Sequence, residues 1–209
     1  MKIKNVILDF GHGGLDSNGN YTTAPSKMFI YPNGEIAYEG VLNRQIGGFL
    51  YTYLRNHTNL NVVCTVREDD PRDLSLSHRV RVANQFSKED SIFVSIHCNA
   101  GGGRGSGFEI FTSIGQTKSD ELAENIATEV EDLYDELSLK LRYDFSDGDK
   151  DKEADFYVLR KTKGVAVLIE CGFFDNPNDF ELLKDPKFQS KLAYKIYEGI
   201  ISFIDKKQQ

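Results

Sequence analysis

Apolar runs long enough for a strand but too short for a helix recur along the chain. They lie at residues 3–9 (IKNVILD), 61–66 (NVVCTV), 91–97 (SIFVSIH) and 165–170 (VAVLIE). These runs are close to continuous rather than alternating, so each needs cover on both sides. A mainly parallel sheet with helices on both faces provides that cover. The stretches between the runs carry helical spacing. In 39–56 the apolar positions are Val41, Leu42, Ile46, Phe49, Leu50 and Tyr53; in 76–87 they are Leu76, Val80, Ala83 and Phe86. Residues 118–138 predict a long helix and 187–205 a closing amphipathic one. Residues 107–112 (GFEIFT) alternate, which predicts an edge strand, and 156–160 predict one more strand. The expected fold class is α/β, and residues 1–209 are expected to form one domain.

Composition narrows the function classes. The formal charge of −7 argues against nucleic acid or an anionic membrane as the main partner. No apolar stretch approaches the ~18 residues that would cross a bilayer, so membrane insertion is not expected. The opening MKIKNVILDF lacks the apolar core and cleavage site of a secretory signal. It reads as a first buried strand, and synthesis in the cytoplasm without a signal peptide is the expectation. Cys64, Cys98 and Cys171 are odd in number, form no CxxC and sit in apolar runs. Buried thiols are expected, not a disulfide frame or a cysteine metal site. A metal site must therefore draw on four histidines: His12, His57, His78 and His97.

Two segments interrupt the α/β rhythm. Residues 17–38 contain KMFIYPNGEIAYEG, which predicts a hairpin turning at Pro32, Asn33 and Gly34. Residues 141–155 (LRYDFSDGDKDKEAD) are strongly acidic and read as a solvated loop. A calcium loop from Asp147, Asp149 and Asp151 is the weaker reading, because the D-x-[DN]-x-[DN]-G spacing is missing.

Four groups capable of chemistry fall at the ends of predicted elements. His12 sits in DFGHGG, where flanking glycines allow a sharp turn that exposes the ring. His97, in FVSIHCNA, shares a strand face with Ser95 and Asn99 while Ile96 and Cys98 point the other way. Either His also reads as an incidental turn or core residue. Glu39 opens the helix EGVLNRQIGGFL, a favourable place for any carboxylate, and Glu35 beside the hairpin turn competes with it. Glu170 ends VAVLIE. A carboxylate after five apolar residues needs either an ion-pair partner or a catalytic reason. Together these residues suit zinc, which takes His nitrogen and carboxylate oxygen and keeps a water position in catalytic sites. The competing HExxH, GxSxG and P-loop patterns are absent from the sequence.

Five blocks in order, DFGHGGLD, EGVLNRQIGGFL, TVREDD with LSHRVRVAN, FVSIHCNA and VLRKTKGVAVLIECGFFDNPND, resemble the zinc-dependent N-acetylmuramoyl-L-alanine amidases, type 3. This is the catalytic family of bacterial autolysins and phage endolysins, and the resemblance runs from residue 3 to about 201. It implies a six-stranded twisted sheet with helices on both faces, and one Zn2+ per chain held by His12, Glu39 and His97. It selects Glu39 over Glu35, because the family glutamate opens the helix reading E-x-x-L-N, and it makes Glu170 the catalytic carboxylate. The implied partner is peptidoglycan, cut between N-acetylmuramic acid and L-alanine by a monomer acting on the bacterial cell wall. A zinc peptidase on the same scaffold and a non-catalytic wall-binding module are the alternatives. Asn99 is read as a substrate-orienting or turn residue, Arg67 and Arg79 as framework ion pairs, and His57 and His78 as exposed. The chain departs from the family at Phe10, where proline is usual, and in the long 17–38 insertion.

Overall fold

The computed structural model describes residues 2–146 and 148–207. Among the described residues eight strands and six α-helices follow one another along the chain, with a 3-10 turn at Pro25–Lys27. They are β1 (Asn5–Phe10), β2 (Met28–Ile30), β3 (Ile36–Tyr38), α1 (Glu39–His57), β4 (Asn61–Cys64), α2 (Leu76–Ala83), β5 (Ser91–Asn99) and β6 (Glu109–Thr112). Then follow α3 (Lys118–Glu136), β7 (Lys152–Glu153), α4 (Tyr157–Lys161), β8 (Val165–Phe173), α5 (Pro177–Leu183) and α6 (Pro186–Lys206). The main sheet has six strands in the order β4-β1-β5-β8-β6-β7. The first four run parallel, and β6 runs antiparallel to β8. Strands β2 and β3 form the expected hairpin apart from it.

The two faces of the sheet differ. Val6, Leu8 and Phe10 of β1, Ile92, Val94 and Ile96 of β5, and Val167 and Ile169 of β8 join the large core with α1, α3 and α6. Leu42, Ile46, Leu50 and Leu54 recur every four residues along α1 and form its buried stripe. A capping box of Thr117 and Asp120 starts α3, and Asp185 followed by Pro186 starts α6. The opposite strand face carries Ile7, Phe93, Ala166 and Leu168, covered only by the short α2 and α4. Asp9, Ser95, His97 and Glu170 share that thinly covered face, as period two requires. Phe10 packs its ring against α1 at Gly47, where an added Cβ would lie 2.2 Å from the ring.

Chain order sets the place of the site. From β1 the chain crosses to β4 on one side, then returns to β5 on the other. The switch point lies between β1 and β5, and in open α/β sheets ligands gather there, beyond the carboxyl ends of the strands. His12 follows β1 and His97 lies near the end of β5. Among the described residues no helix is long and apolar enough to cross a membrane.

Three expectations need correction. Residues 156–160 do not form a strand: Tyr157–Lys161 is a helical turn. Val158 and Leu159 are adjacent and both buried in one cluster, which a turn allows and a strand would split between faces. The sixth strand is instead Lys152–Glu153, which pairs with β6, so 107–112 is covered at its outer side and is not the edge. Nor is 141–155 a purely solvated loop. Asp151 is buried, Thr112 Oγ1 donates to its Oδ2 at 2.6 Å, and Lys152 reaches Glu109. Asp147, one of the three residues of the calcium reading, lies outside the described residues.

Burial pushes the Asp151 carboxyl up to about 7, against the Thr112 hydrogen bond and with the help of the Asp149 and Asp120 charges. A folded-state value above the unfolded ~3.9 favours the folded protein while the acid is protonated. That stability is present below pH ~4 and is lost as pH rises through about 7. Asp151→Asn keeps the shape and removes the charge. Its melting temperature should match wild type near pH 4 and exceed it near pH 8. Parallel thermal melts across that range check this; a gap that does not grow with pH contradicts it.

Candidate metal centre

The turn after β1 carries His12 in a left-handed conformation, φ 63°, which is costly for a residue with a Cβ. Its backbone is held by groups that α1 and α2 supply. Arg44 Nη1 donates to the His12 carbonyl at 2.9 Å and Arg79 Nη2 at 3.2 Å, while Asn43 Nδ2 donates to the Gly11 carbonyl at 3.1 Å. Arg79 is 2% exposed and paired with Asp9 at 2.7 Å. Asp9 also accepts from Ser95 and Thr65. Burial alone would raise the Asp9 pKa, but Arg79 and these hydrogen bonds bring it below the usual range. The framework reading of Arg79 therefore holds. Arg67 is exposed and pairs with Asp69 at 2.7 Å.

Helix α1 approaches this turn closely. Gly40 packs on Gly13, whose carbonyl oxygen would lie 1.8 Å from an added Cβ. This contact brings the helix N-terminus, and Glu39 with it, against the two histidines. Glu39 Oε1 lies 3.2 Å from His12 Nε2 and 2.9 Å from His97 Nδ1. The two rings stand at 87°, with centroids 5.0 Å apart. One donor atom from each of His12, Glu39 and His97 falls within 4.8 Å of the others, and among the described residues this is the one such group. Glu35 is elsewhere: it pairs with Lys184 at 2.8 Å on the surface.

This donor set fits a metal. Two imidazole nitrogens and a carboxylate oxygen match zinc chemistry. Burial lowers the His12 pKa, against the pull of Glu39, and so favours the neutral ring that ligates metals. Burial would raise Glu39, but hydrogen bonds with both histidines more than offset it and keep the carboxylate ionised.

Glu170 sits beside His97 in the β5–β8 register, and Glu109 is its partner across β6. These neighbouring carboxylates have opposite surroundings. Glu109 accepts from Arg142 at 2.7 Å, Lys152 at 2.6 Å and Asn99 at 2.6 Å. These contacts outweigh its burial and hold its pKa low. Glu170 makes no such ion pair among the described residues, feels only the more distant Lys27 charge, and its Oε2 is sealed without a hydrogen-bond partner. Burial first, then the Glu39 charge, pushes its pKa well above the carboxylate range. Paired carboxyls driven apart in this way mark acid–base assignments. Asn99 thus braces Glu109. His57 is exposed, and His78 is half-buried against Arg81.

His12, Lys27, His97 and Glu170 open on one cleft of about 550 Å³, whose lining also includes Leu76, Phe156 and Tyr157. Leu76 is 53% exposed there, not packed inward as its helical spacing suggested. A groove of about 760 Å³ beside Phe10, Tyr51 and Cys64 lies on the α1 side, away from these groups. The sequence reading missed Lys27, which stands 3.3 Å from Glu39.

The model of the N-acetylmuramoyl-L-alanine amidase family, type 3, matches residues 6–202. The chain belongs to that family. An amidase-family enzyme of Bacillus licheniformis, N-acetylmuramoyl-L-alanine amidase CwlM, is 32% identical over 90% of this chain and 64% of its own length. The chain thus spans less than two thirds of that relative. An endolysin of Bacillus phage SPP1 is 29% identical over 99% of this chain and 68% of its own. Among solved amidase structures, that of Clostridium difficile 630 superposes with a TM-score of 0.77 at 30% identity, covering 99% of this chain and all of that one. The α/β architecture expected from the sequence is therefore the amidase fold.

Proposed function

We propose that this chain is a zinc-dependent N-acetylmuramoyl-L-alanine amidase. It would cut the amide between the lactyl group of N-acetylmuramic acid and L-alanine in peptidoglycan. The observation that carries the reading is the convergence of His12, Glu39 and His97 in one cleft with an orphaned, buried carboxylate, Glu170. Family membership supplies the substrate class, since fold alone would not.

His12, Glu39 and His97 would hold one zinc ion per chain. When bound, the ion supplies a Lewis acid for the scissile carbonyl and acidifies the attacking water. The other steps belong to the chain. Glu170 takes one proton from that water as the C–O bond forms, then returns it to the alanine nitrogen as the C–N bond breaks. The nitrogen leaves as the amine, and the lactyl group keeps the carboxylate. Glu170 is suited to both transfers because burial and the Glu39 charge, against the weaker pull of the Lys27 charge, make its carboxylate a stronger base than an exposed one. Arg79, Arg44 and Asn43 keep the His12 turn rigid throughout. The exposed Leu76, Phe156 and Tyr157 offer an apolar rim for the lactyl and sugar faces of the strand. Residues 1–209 would form one catalytic domain that works on the bacterial cell wall, as an endolysin or autolysin, as a monomer and without nucleic acid.

Labelling new amino termini after digestion of purified peptidoglycan tests the reaction. Alanine is the expected labelled residue. Labelling at an internal stem-peptide position would favour a zinc peptidase instead.

A further inference from the structure

Glu39 presents two different oxygens. Oε1 faces both histidines. Oε2 is sealed from solvent and accepts no hydrogen bond; its partner among the described residues is the Lys27 ammonium, 3.3 Å away. The 17–38 insertion delivers that ammonium, and three features fix its position. In the β2–β3 hairpin Met28 faces Tyr38, so the next residues outward, Lys27 and Glu39, leave the ladder side by side. The Tyr21 hydroxyl donates to the Lys27 carbonyl at 3.0 Å and accepts from the Gly40 N–H at 3.0 Å. Its ring also packs on Tyr38, with centroids 4.8 Å apart. One tyrosine of the insertion therefore ties the backbone beside Lys27 to the backbone beside Glu39.

We infer that Lys27 is a positioning residue: by holding Glu39 Oε2 it presents Oε1 to the metal, and the 17–38 insertion exists in part to place it. This rests on the zinc reading of the site. A buried carboxylate oxygen without a partner costs free energy, and the carboxylate relieves that cost by rotating toward other donors, which spoils it as a ligand. The ammonium also repels a bound cation, which acts in the opposite direction. Its side chain is 38% exposed, however, so solvent screens that repulsion, whereas Oε2 at a 2% exposed side chain has no such relief. Groups behind a metal ligand carry affinity for this reason, and their loss costs about 10–100-fold.

Competition of zinc alone against a chromophoric chelator measures the effect without any catalysis. The zinc dissociation constant of Lys27→Met should rise about 10–100-fold. Lys27→Arg, which restores a cation, should recover most of the loss. The metal-free proteins should keep the wild-type fold by circular dichroism, with at most a modest drop in melting temperature for Lys27→Met, where Oε2 loses its cationic neighbour. The inference is overturned if Lys27→Met binds zinc as tightly as wild type or more tightly, or if Lys27→Arg loses as much as Lys27→Met. If wild type itself takes up no zinc, the underlying assignment of the site has failed instead.

Discussion

Glu170→Ala should keep its zinc and lose peptidoglycan hydrolysis by about 10³-fold, within the 10²–10⁴-fold typical of a general base. Glu170→Gln should lose nearly as much, because the amide preserves shape but accepts no proton. Both should be at least as heat-stable as wild type in the metal-free form. Glu170 Oε2 is buried without a partner, so removing the carboxylate relieves a cost and breaks no hydrogen bond. Activity and stability are thus expected to move in opposite directions, which loss of folding cannot mimic. Rates of wall clearing, zinc content and melting curves on the same preparations check this. Near-normal clearing by either variant would remove Glu170 from its role.

The second large effect is on metal content. His12→Ala, His97→Ala and Glu39→Ala should each weaken zinc binding by more than about 10²-fold, since even groups behind the ligands cost 10–100-fold. Glu35→Ala is the contrast. It loses a surface pair with Lys184, worth at most about 1 kcal/mol, and should keep its zinc. Metal analysis after dialysis separates the two glutamates. A Glu35→Ala protein without zinc, or a Glu39→Ala protein with it, reverses the assignment.

Much of this site can be read from the sequence because strand periodicity and topology act on every residue alike. VAVLIE had to be a buried strand, so Glu170 had to be an unusual carboxylate. SIFVSIH placed His97 on the face opposite Ile96, and the Gly-rich turn placed His12 beyond β1. Other features depend on tertiary contacts with weaker local signals. FYVLRK has strand-like residues, but Val158 and Leu159 both find room against α2 and the sheet, so a helical turn wins. The acidic 141–155 segment reads as solvated by composition, yet Thr112 and the edge of β6 capture Asp151 and Lys152. Lys27 carries no signal as a lone lysine in a loop. A signal was available in the hairpin: a turn centred on Asn33 puts position 27 opposite position 39. The glutamate at 39 was legible and its partner was one register count away.

The most direct test of the account is mass analysis of the products of purified peptidoglycan. Wild type should release intact stem peptides beginning with a free L-alanine amino group, and leave glycan strands whose muramic acid residues end in a free lactyl carboxylate. Release should stop on chelation and return with zinc. Shortened peptides still attached to glycan, or intact walls in the presence of bound zinc, would contradict it.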